Sequence, residues 1–348
     1  MNPIATVIIS LLVFGFLIFI HEFGHYITAR IFGVAINEFS IGMGPKLFSR
    51  VSQKTGIRDS IAMLPIGGFV AMEGEDGESS NPNSFDKKPA WQRFIITAAG
   101  AFVNILFGFI AMIVLTSIIK IGGTTIGEFV DTEQSGFESS TDEYFELGDK
   151  IVAVDGKRVK IYDELSYEVM RRGNKPIDVT VIRNGEEITI PDVVFPTLTE
   201  QEQTFGMIDF RIYATEKTFG SVMTYSFRKS FLIVRMCWES IFDLISGRYS
   251  LAAVSGPVGI SGAIGDAAGA GFSSLLYIVT LISINLGVMN LLPIPALDGG
   301  RLICVTFELI TRKRLPRKLE ATINAVGLIL LLALSAVIMI KDVFQLIL

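Results

Sequence analysis

Four long apolar blocks without a charged residue constrain this chain more than any other feature. They run from Ile4 to Ile20, from Phe94 to Ile119, from about Leu275 to Leu297 and from about Ala321 to Ile340. A helix needs about 20 apolar residues to cross the hydrocarbon layer, and it satisfies its own backbone hydrogen bonds there. The blocks therefore predict a polytopic α-helical membrane protein with about four transmembrane helices.

The first block has to be distinguished from a secretory signal peptide. A signal peptide carries basic residues before its apolar run and small residues at a cleavage site after it. Here no basic residue precedes Ile4, and the run ends in His21 and Glu22. We therefore interpret this block as a transmembrane helix.

Lysine and arginine near the ends of the blocks predict an orientation. They are frequent between the first two blocks (Arg30, Lys46, Arg50, Lys54, Arg58, Lys87, Lys88, Arg93) and between the last two (Arg301, Arg312, Lys313, Arg314, Arg317, Lys318). Short loops with such residues stay in the cytoplasm. The N-terminus and region 120–274 are therefore predicted to face the outside.

The segment Ile61–Met72 is apolar but too short to span a membrane, and Pro65, Gly67 and Gly68 interrupt it. It predicts a hairpin or strand pair that dips into the membrane face. Such a re-entrant β element is tolerated only where protein or a water-filled cavity covers its backbone. The acidic stretch 73–83 that follows, rich in Gly and Ser, predicts a loop.

The long region between the second and third blocks predicts an inserted α+β domain over residues 121–200. Turn signals at Asp155-Gly156 and Asn184-Gly185 favour hairpins. The predicted strands are Gly127–Val130, Lys150–Asp155 and Ile177–Arg183, with a helix over Asp163–Arg172. Residues 201–274 form a linker whose Ser221–Ser246 segment predicts an amphipathic helix, either at the membrane interface or packed against protein. Residues 1–120 and 275–348 then form the two parts of the membrane core.

The chain has only two histidines, and both lie in His21-Glu-Phe-Gly-His25. On a helix, positions i and i+4 share a face, so both imidazoles can bind one zinc ion with Glu22 beside it. Glu22 would then take a proton from a water that the metal activates. A chance pair of histidines on a solvated helix is the alternative. Because ionisable residues at the end of a spanning segment are costly and usually functional, we favour the metal.

A catalytic zinc site needs a third protein ligand, and the best candidate is Asp298 near the end of the third block. Asp298 could instead pair with Arg301 or cap the helix that follows. Cys304 is a weaker candidate because it lies in an apolar run. We interpret Cys237 and Cys304 as free thiols.

Four pieces of the sequence carry a family resemblance. They are His21–His25, Pro65-Ile-Gly-Gly-Phe-Val70, Asn290-Leu-Leu-Pro-Ile-Pro-Ala-Leu-Asp-Gly-Gly300 and Leu147-Gly-Asp-Lys-Ile-Val-Ala-Val-Asp-Gly156. With the order of the spans, they resemble the site-2 protease family of intramembrane zinc metalloproteases (peptidase family M50). The similarity is to the bacterial branch with an extracytoplasmic PDZ domain, which includes the regulators of sigma-E proteolysis.

The resemblance implies a role for each matching residue. His21, His25 and Asp298 would bind one catalytic Zn²⁺, with Glu22 as general base. The other implied residues are Asn290 near the scissile bond; Pro65, Ile66, Gly67, Gly68 and Phe69 as a strand edge for the substrate; and Pro293 and Pro295 as points of local flexibility. One departure concerns the second span, where relatives often have Gly-Pro and this chain has Gly100-Ala101 before Asn104.

The resemblance also implies partners and a location. Substrates would be single-span proteins of the lipid bilayer that a site-1 protease has already shortened outside, such as anti-sigma factors or signal-peptide remnants. The protein would be multi-pass in the bacterial inner membrane, with its active site toward the cytoplasm. The acidic stretch Asp131–Glu146 makes a bound C-terminal peptide doubtful, so the PDZ-like domain would exclude bulky substrates instead.

Other functions are less consistent with the sequence. A net charge of −5 gives no basic surface for nucleic acid. A metal transporter would have more polar residues in its spans and repeated halves. A scaffold with a structural zinc would need a fourth ligand.

Overall fold

The computed structural model describes residues 2–75, 77–130, 140–200, 203–248 and 254–347. Residues 131–139 of the acidic stretch discussed above therefore lie outside the described part. Contacts divide the chain into two compact units, Met1–Ala111 with Ile233–Leu348, and Met112–Leu232.

The described residues form eight α-helices and ten β-strands. The helices are α1 Pro3–Ile31, α2 Ala90–Ile118, α3 Tyr162–Arg172, α4 Phe219–Ile245, α5 Pro257–Ala270, α6 Phe272–Asn290, α7 Asp298–Thr311 and α8 Arg317–Ile347. The strands are β1 Ile36–Val51, β2 Arg58–Met72, β3 Ile121–Phe129, β4 Lys150–Val154, β5 Lys157–Arg158, β6 Ile177–Arg183, β7 Glu186–Val193, β8 Thr197–Glu200, β9 Gln203–Gly206 and β10 Phe210–Thr215.

Four of the described helices are long and apolar enough to cross a membrane, which agrees with the predicted number of spans. They are α1, α2, α6 and the Lys318–Phe344 part of α8. The predicted end of the third span at Leu297 is wrong, because α6 ends at Asn290. Pro293 and Pro295 follow within one turn; proline has no N–H to donate and disfavours helical backbone in the residue before it.

The helices of the first unit approach one another closely at small residues. A Cβ on Gly24 of α1 would lie only 2.6 Å from the Ala99 carbonyl oxygen of α2. The Ser283 hydroxyl of α6 donates to the Asn104 carbonyl oxygen of α2 at 2.8 Å. Small residues and buried hydroxyls of this kind are what hold helices together within a membrane. As a result, α1 and α6 both pack directly on α2.

Helix α5 is hydrogen-bonded to two helices from opposite ends of the chain, α1 and α8. Its Ser261 hydroxyl donates to the Ser10 hydroxyl of α1 at 2.8 Å. At its N-terminus, the Asp342 carboxylate of α8 accepts the backbone N–H groups of Gly256 and Gly259 at 2.9 and 3.0 Å. The first N–H groups of a helix have no partner within that helix, so Asp342 fulfils the role of a capping residue from a distant part of the chain.

Strands β1 and β2 form a separate antiparallel pair. Residues 38–41 of β1 pair both with 58–61 and with 68–71 of β2. The β structure predicted for Ile61–Met72 is confirmed, whereas its partner β1 was missed. Gly42 and Gly44 of β1 have φ values of 86° and 90°, which glycine adopts readily, so the strand is irregular at these two residues. Whether the pair enters the membrane face remains a prediction.

The second unit is built on a sheet in the order β10-β3-β4-β6-β7, with β5 paired to β4. Its core contains buried residues of α3 and of the strands, including Leu165, Ile126, Val154 and Val179, together with Phe195 in the segment after β7. The predicted strands at β4 and β6 and the helix at α3 are confirmed. Strand β3 begins at Ile121, earlier than predicted.

The predicted turns of this unit are confirmed by their backbone. Asp155 and Asn184 have positive φ values of 46° and 51°, and each is followed by a glycine with positive φ. Two successive residues with positive φ are what a two-residue hairpin turn requires.

The predicted helix over Ser221–Ser246 is present as α4. Its exposed face carries Phe227, Phe231, Trp238 and Phe242 at helical spacing. Such a face suits a membrane interface, which remains a prediction for this helix. Cys237 of α4 and Cys304 of α7 are free thiols, as expected.

Candidate metal centre

The two histidines lie near the C-terminal end of α1 and face the same way. Both rings are buried, with centroids 4.9 Å apart and Nε2 atoms 3.2 Å apart. The i and i+4 spacing produces this arrangement because α1 continues as a regular helix to Ile31. The local helical structure alone is therefore enough to bring the two histidine rings together.

Asp298 reaches the two histidines from the far end of the chain. It is the first residue of α7, directly after the irregular segment 291–297. Within that segment Ala296 has a φ of 72°, which is uncommon for a residue other than glycine. The Ala296 N–H donates to the Asn324 side-chain oxygen of α8 at 3.3 Å. A Cβ on Gly327 of α8 would overlap Pro295, so α8 packs closely against this turn.

Three potential ligand atoms converge at this point. Asp298 Oδ2 lies 2.9 Å from His21 Nε2 and 3.2 Å from His25 Nε2. The oxygen is buried yet has no partner with hydrogen-bond geometry. Among the described residues, these three form the one group of His, Cys, Asp or Glu able to hold a metal ion, with ligand atoms within 4.8 Å of one another. Two imidazoles and one carboxylate fit a catalytic Zn²⁺, which keeps its fourth position open.

The backbone of α2 also leaves room for an ion. A Cβ on Gly100 would lie 2.7 Å from His21 Nε2 and closer still to His25 Nε2. A side chain there would occupy the space toward which both nitrogens point. Gly100 therefore fits a site that must keep this space free, a role that its position in the sequence did not reveal.

The second nitrogen of His25 is held by the main chain of α2. Nδ1 lies 2.8 Å from the Ile96 carbonyl oxygen, to which it can only donate. A histidine that donates from Nδ1 presents the lone pair of Nε2, which is the usual arrangement of a zinc-binding ring. The tautomer of His25 is thus the one that a metal requires.

Glu22 lies on α1, and its side chain faces β2. The carboxylate is on the side of the Val70 backbone N–H. The same strand passes close by at Gly68, where a Cβ would be 3.7 Å from Glu22 Cγ. The carboxylate is therefore adjacent to the histidines in sequence and lies beside a strand.

The other residues predicted to bind substrate lie on two elements that carry or precede residues of this centre and on the end of α6. Gly67, Gly68 and Phe69 lie in the β2 half that borders Glu22, and Pro65 and Ile66 precede them in the same strand. Asn290 is the half-buried last residue of α6, and Pro293 and Pro295 lie in the segment before Asp298. Arg301, considered above as a partner of Asp298, forms an ion pair with Glu75.

An HExxH helix inside a bundle of apolar helices is the arrangement of a membrane-embedded metallopeptidase. Comparison with known proteins supports this class. The model of the family described as Peptidase family M50 matches residues 9–334. The chain belongs to this family, and it is a zinc metalloprotease and an integral membrane protein.

Its relatives match along nearly their whole length. A protein of Fusobacterium nucleatum named as a zinc metalloprotease is 35% identical over 98% of this chain and 99% of its own. A protein of Clostridium acetobutylicum with the same kind of name is 32% identical over 97% of each chain. The regulator of sigma-W protease RasP of Bacillus subtilis is 27% identical over 98% of this chain and 99% of its own. These are all bacterial proteins.

Replacing Asp298 by asparagine is expected to lower zinc affinity by about 10-fold or more, because a neutral amide oxygen is a poorer ligand for a dication than a carboxylate. Zinc bound to the purified protein, measured by atomic absorption against a chelator of known affinity, checks this. Asp266→Asn serves as a control, since Asp266 lies on α5 outside the group of potential metal ligands. Unchanged affinity in Asp298→Asn would show that the third ligand lies elsewhere.

Proposed function

We propose that this zinc metalloprotease is an intramembrane endopeptidase that hydrolyses peptide bonds in or near the transmembrane segments of single-span membrane proteins. The observation that carries the proposal is the position of the metal centre. His21 and His25 belong to an apolar helix long enough to span the membrane, and Asp298 follows the end of another such helix. A site built this way is reached by substrates within the membrane.

In this proposal His21, His25 and Asp298 hold the ion and Glu22 is the general base. When bound, Zn²⁺ supplies a Lewis acid that polarises the scissile carbonyl and makes a water molecule acidic enough to react near neutral pH. Glu22 accepts the proton of that water and delivers it to the departing amine. The carboxylate lies beside β2 at Gly68, and burial of His21 and His25 limits access of other water.

Substrate would bind as an added strand on β2. Residues 68–71 pair with β1 on one side, and no other described strand pairs with them on the opposite side. An extended peptide that pairs with an exposed edge gains main-chain hydrogen bonds independent of its sequence. Because Gly68 borders Glu22, a strand added here would pass the catalytic carboxylate. Asn290 would hold the substrate near the scissile bond, and Pro293 and Pro295 would allow local movement.

The remaining assignments of this proposal concern the domains and the cellular context. The α+β domain predicted over residues 121–200 is PDZ-like and extracytoplasmic, and the active site lies toward the cytoplasm. The sheet of this domain also includes β10, so of the predicted linker 201–274 only the part after Thr215 leads to the second part of the membrane core. Substrates are first shortened outside by a site-1 protease. Anti-sigma factors and signal-peptide remnants fit this description, and the name of the Bacillus subtilis relative refers to a sigma factor.

The proposal is tested with the purified protein in liposomes and two forms of one single-span protein, one with a folded outer domain and one without it. We expect cleavage of the shortened form, at a bond within or next to its transmembrane segment. A chelator should stop cleavage, and Zn²⁺ should restore it. Cleavage only of soluble peptides, or cleavage that survives complete removal of zinc, would contradict the proposal.

Replacing Gly68 by alanine is expected to lower the cleavage rate by about 10- to 100-fold and to leave zinc binding unchanged. A Cβ on Gly68 would lie 2.7 Å from the Ser40 carbonyl oxygen, so β2 must shift next to Glu22. A displacement of about 1 Å at a catalytic group can cost about 100-fold in rate. Gly77→Ala is the matched control, because a Cβ there has no atom within 4 Å. Equal cleavage rates for Gly68→Ala and Gly77→Ala would show that this part of β2 takes no part in catalysis.

A further inference from the structure

One buried polar group beside the metal centre lacks a partner. Asn104 lies on α2, fully buried, and its side-chain oxygen Oδ1 accepts no hydrogen bond. Its amide nitrogen Nδ2 instead lies 3.4 Å from Nδ1 of His21. A buried amide oxygen without a partner loses its hydration without compensation, so this arrangement calls for an explanation.

The chemistry of His21 provides that explanation. Its Nε2 faces Asp298 and His25, so a ring that binds metal there carries its proton on Nδ1. An Nδ1–H group and an amide NH₂ are both donors and cannot bond to each other. The oxygen and nitrogen of an amide have nearly the same shape, and which is which is assigned from hydrogen bonding. Turning the amide by half a turn brings Oδ1 to Nδ1 and gives both groups a partner.

We propose that Asn104 is a positioning residue of the metal centre: its side-chain oxygen accepts the Nδ1 proton of His21 and so fixes the tautomer and orientation of that ring. The backbone of Asn104 is itself anchored, because its carbonyl accepts the Ser283 hydroxyl. The inference rests on the zinc ligands given under the proposed function.

The two ligand rings then donate to two different kinds of acceptor on α2. His25 donates to the Ile96 main-chain carbonyl, and His21 donates to the Asn104 side chain. Only the contact with Asn104 can be removed by a substitution, because the contact with Ile96 is made by the main chain. Helix α2 therefore contributes to the centre at three positions, because Gly100 leaves space for the ion between these two contacts.

The composition of the chain makes a direct test feasible. Because His21 and His25 are its only histidines, [¹⁵N]histidine labels the two ligand rings and nothing else. In the zinc-bound wild type we expect each ring to show a protonated Nδ1 and a metal-bound Nε2. In Asn104→Leu, the Nδ1–H signal of one ring should move toward that of a ring without an acceptor, while the other ring keeps its signal.

Zinc affinity provides a second readout. Loss of the partner of a zinc-binding histidine typically costs about 10- to 100-fold in affinity, which is the loss we expect for Asn104→Leu. Asn104→Asp retains an acceptor and should bind zinc within a few-fold of wild type. Thr116→Val is the matched control, because it removes a buried hydroxyl without a partner from the same helix. It should change neither the spectrum nor the affinity.

The outcomes separate this inference from the proposed function. A wild type that binds no zinc overturns both, whereas zinc bound through Nδ1 of His21 overturns the role of Asn104 alone. A wild type with the expected spectrum and an Asn104→Leu variant with unchanged signals and affinity overturns the role of Asn104 alone. If Asn104→Leu does not fold, Asn104→Asp still decides: an affinity loss as large as that expected for Asn104→Leu would contradict a role as hydrogen-bond acceptor.

Discussion

Glu22→Gln is expected to keep its zinc and to lose about 10²- to 10⁴-fold in the rate of peptide hydrolysis, the range that a general base contributes. Glutamine has the shape of glutamate, so it can occupy the same space beside β2. It cannot accept a proton from water near neutral pH. The three potential ligand atoms of His21, His25 and Asp298 are untouched by the change. The substitution therefore separates holding the metal from using it.

The measurement combines the cleavage rate of the shortened single-span substrate with the zinc content of the same sample. Glu187→Gln is a suitable control, since it removes an exposed carboxylate that pairs with Arg158 at the surface. We expect wild-type rates from that control. A Glu22→Gln variant that retains zinc and cleaves at the wild-type rate would exclude Glu22 as the base. Loss of zinc from it would show that Glu22 also supports the centre.

Gly100→Ala is expected to reduce zinc binding by at least about 100-fold and to abolish hydrolysis with it. Alanine is an excellent helix former, so an exposed glycine in a helix would gain stability from this change. At Gly100, however, the added methyl group would lie 2.7 Å from His21 Nε2, within the space of the ion. Moving α2 away from the histidines would break its close contact with α1, where Gly24 meets Ala99.

Zinc content by atomic absorption and thermal stability of the purified protein test this prediction together. Gly262→Ala is the matched control: it lies within α5, and a Cβ there has no atom within 4 Å. We expect that variant to keep its zinc and its activity. Wild-type zinc affinity in Gly100→Ala would show that the ion lies away from α2.

The elements that could be predicted are those specified by local physics. Uncharged blocks of spanning length predicted four helices, because apart from a closed β-barrel only a helix makes all of its backbone hydrogen bonds within the lipid. Spacing of four residues placed His21 and His25 on one face of a helix. In the second unit, β4 and β6 were predicted because paired turn residues such as Asp155-Gly156 mark where strands end.

The elements that were missed depend on distant parts of the chain. Strand β10 pairs with β3, which lies about 80 residues earlier in the sequence. Polar and apolar residues alternate only weakly in the short sequence of β10. Strand β1 was missed because its glycines resemble those of a loop, whereas in the structure they allow the strand to bend while it pairs with two parts of β2. Packing against a partner stabilised these strands, so local sequence contained little of the signal.

By itself, the sequence determined that this protein spans a membrane and carries an HExxH helix, because periodicity and hydrophobicity act over neighbouring residues. It offered Asp298 as one ligand among alternatives. Only the tertiary structure brought Asp298 Oδ2 to the two Nε2 atoms, laid Gly100 against them and set Asn104 beside His21. These contacts join residues about 80 and nearly 280 positions apart, and they exist only once the helices have packed.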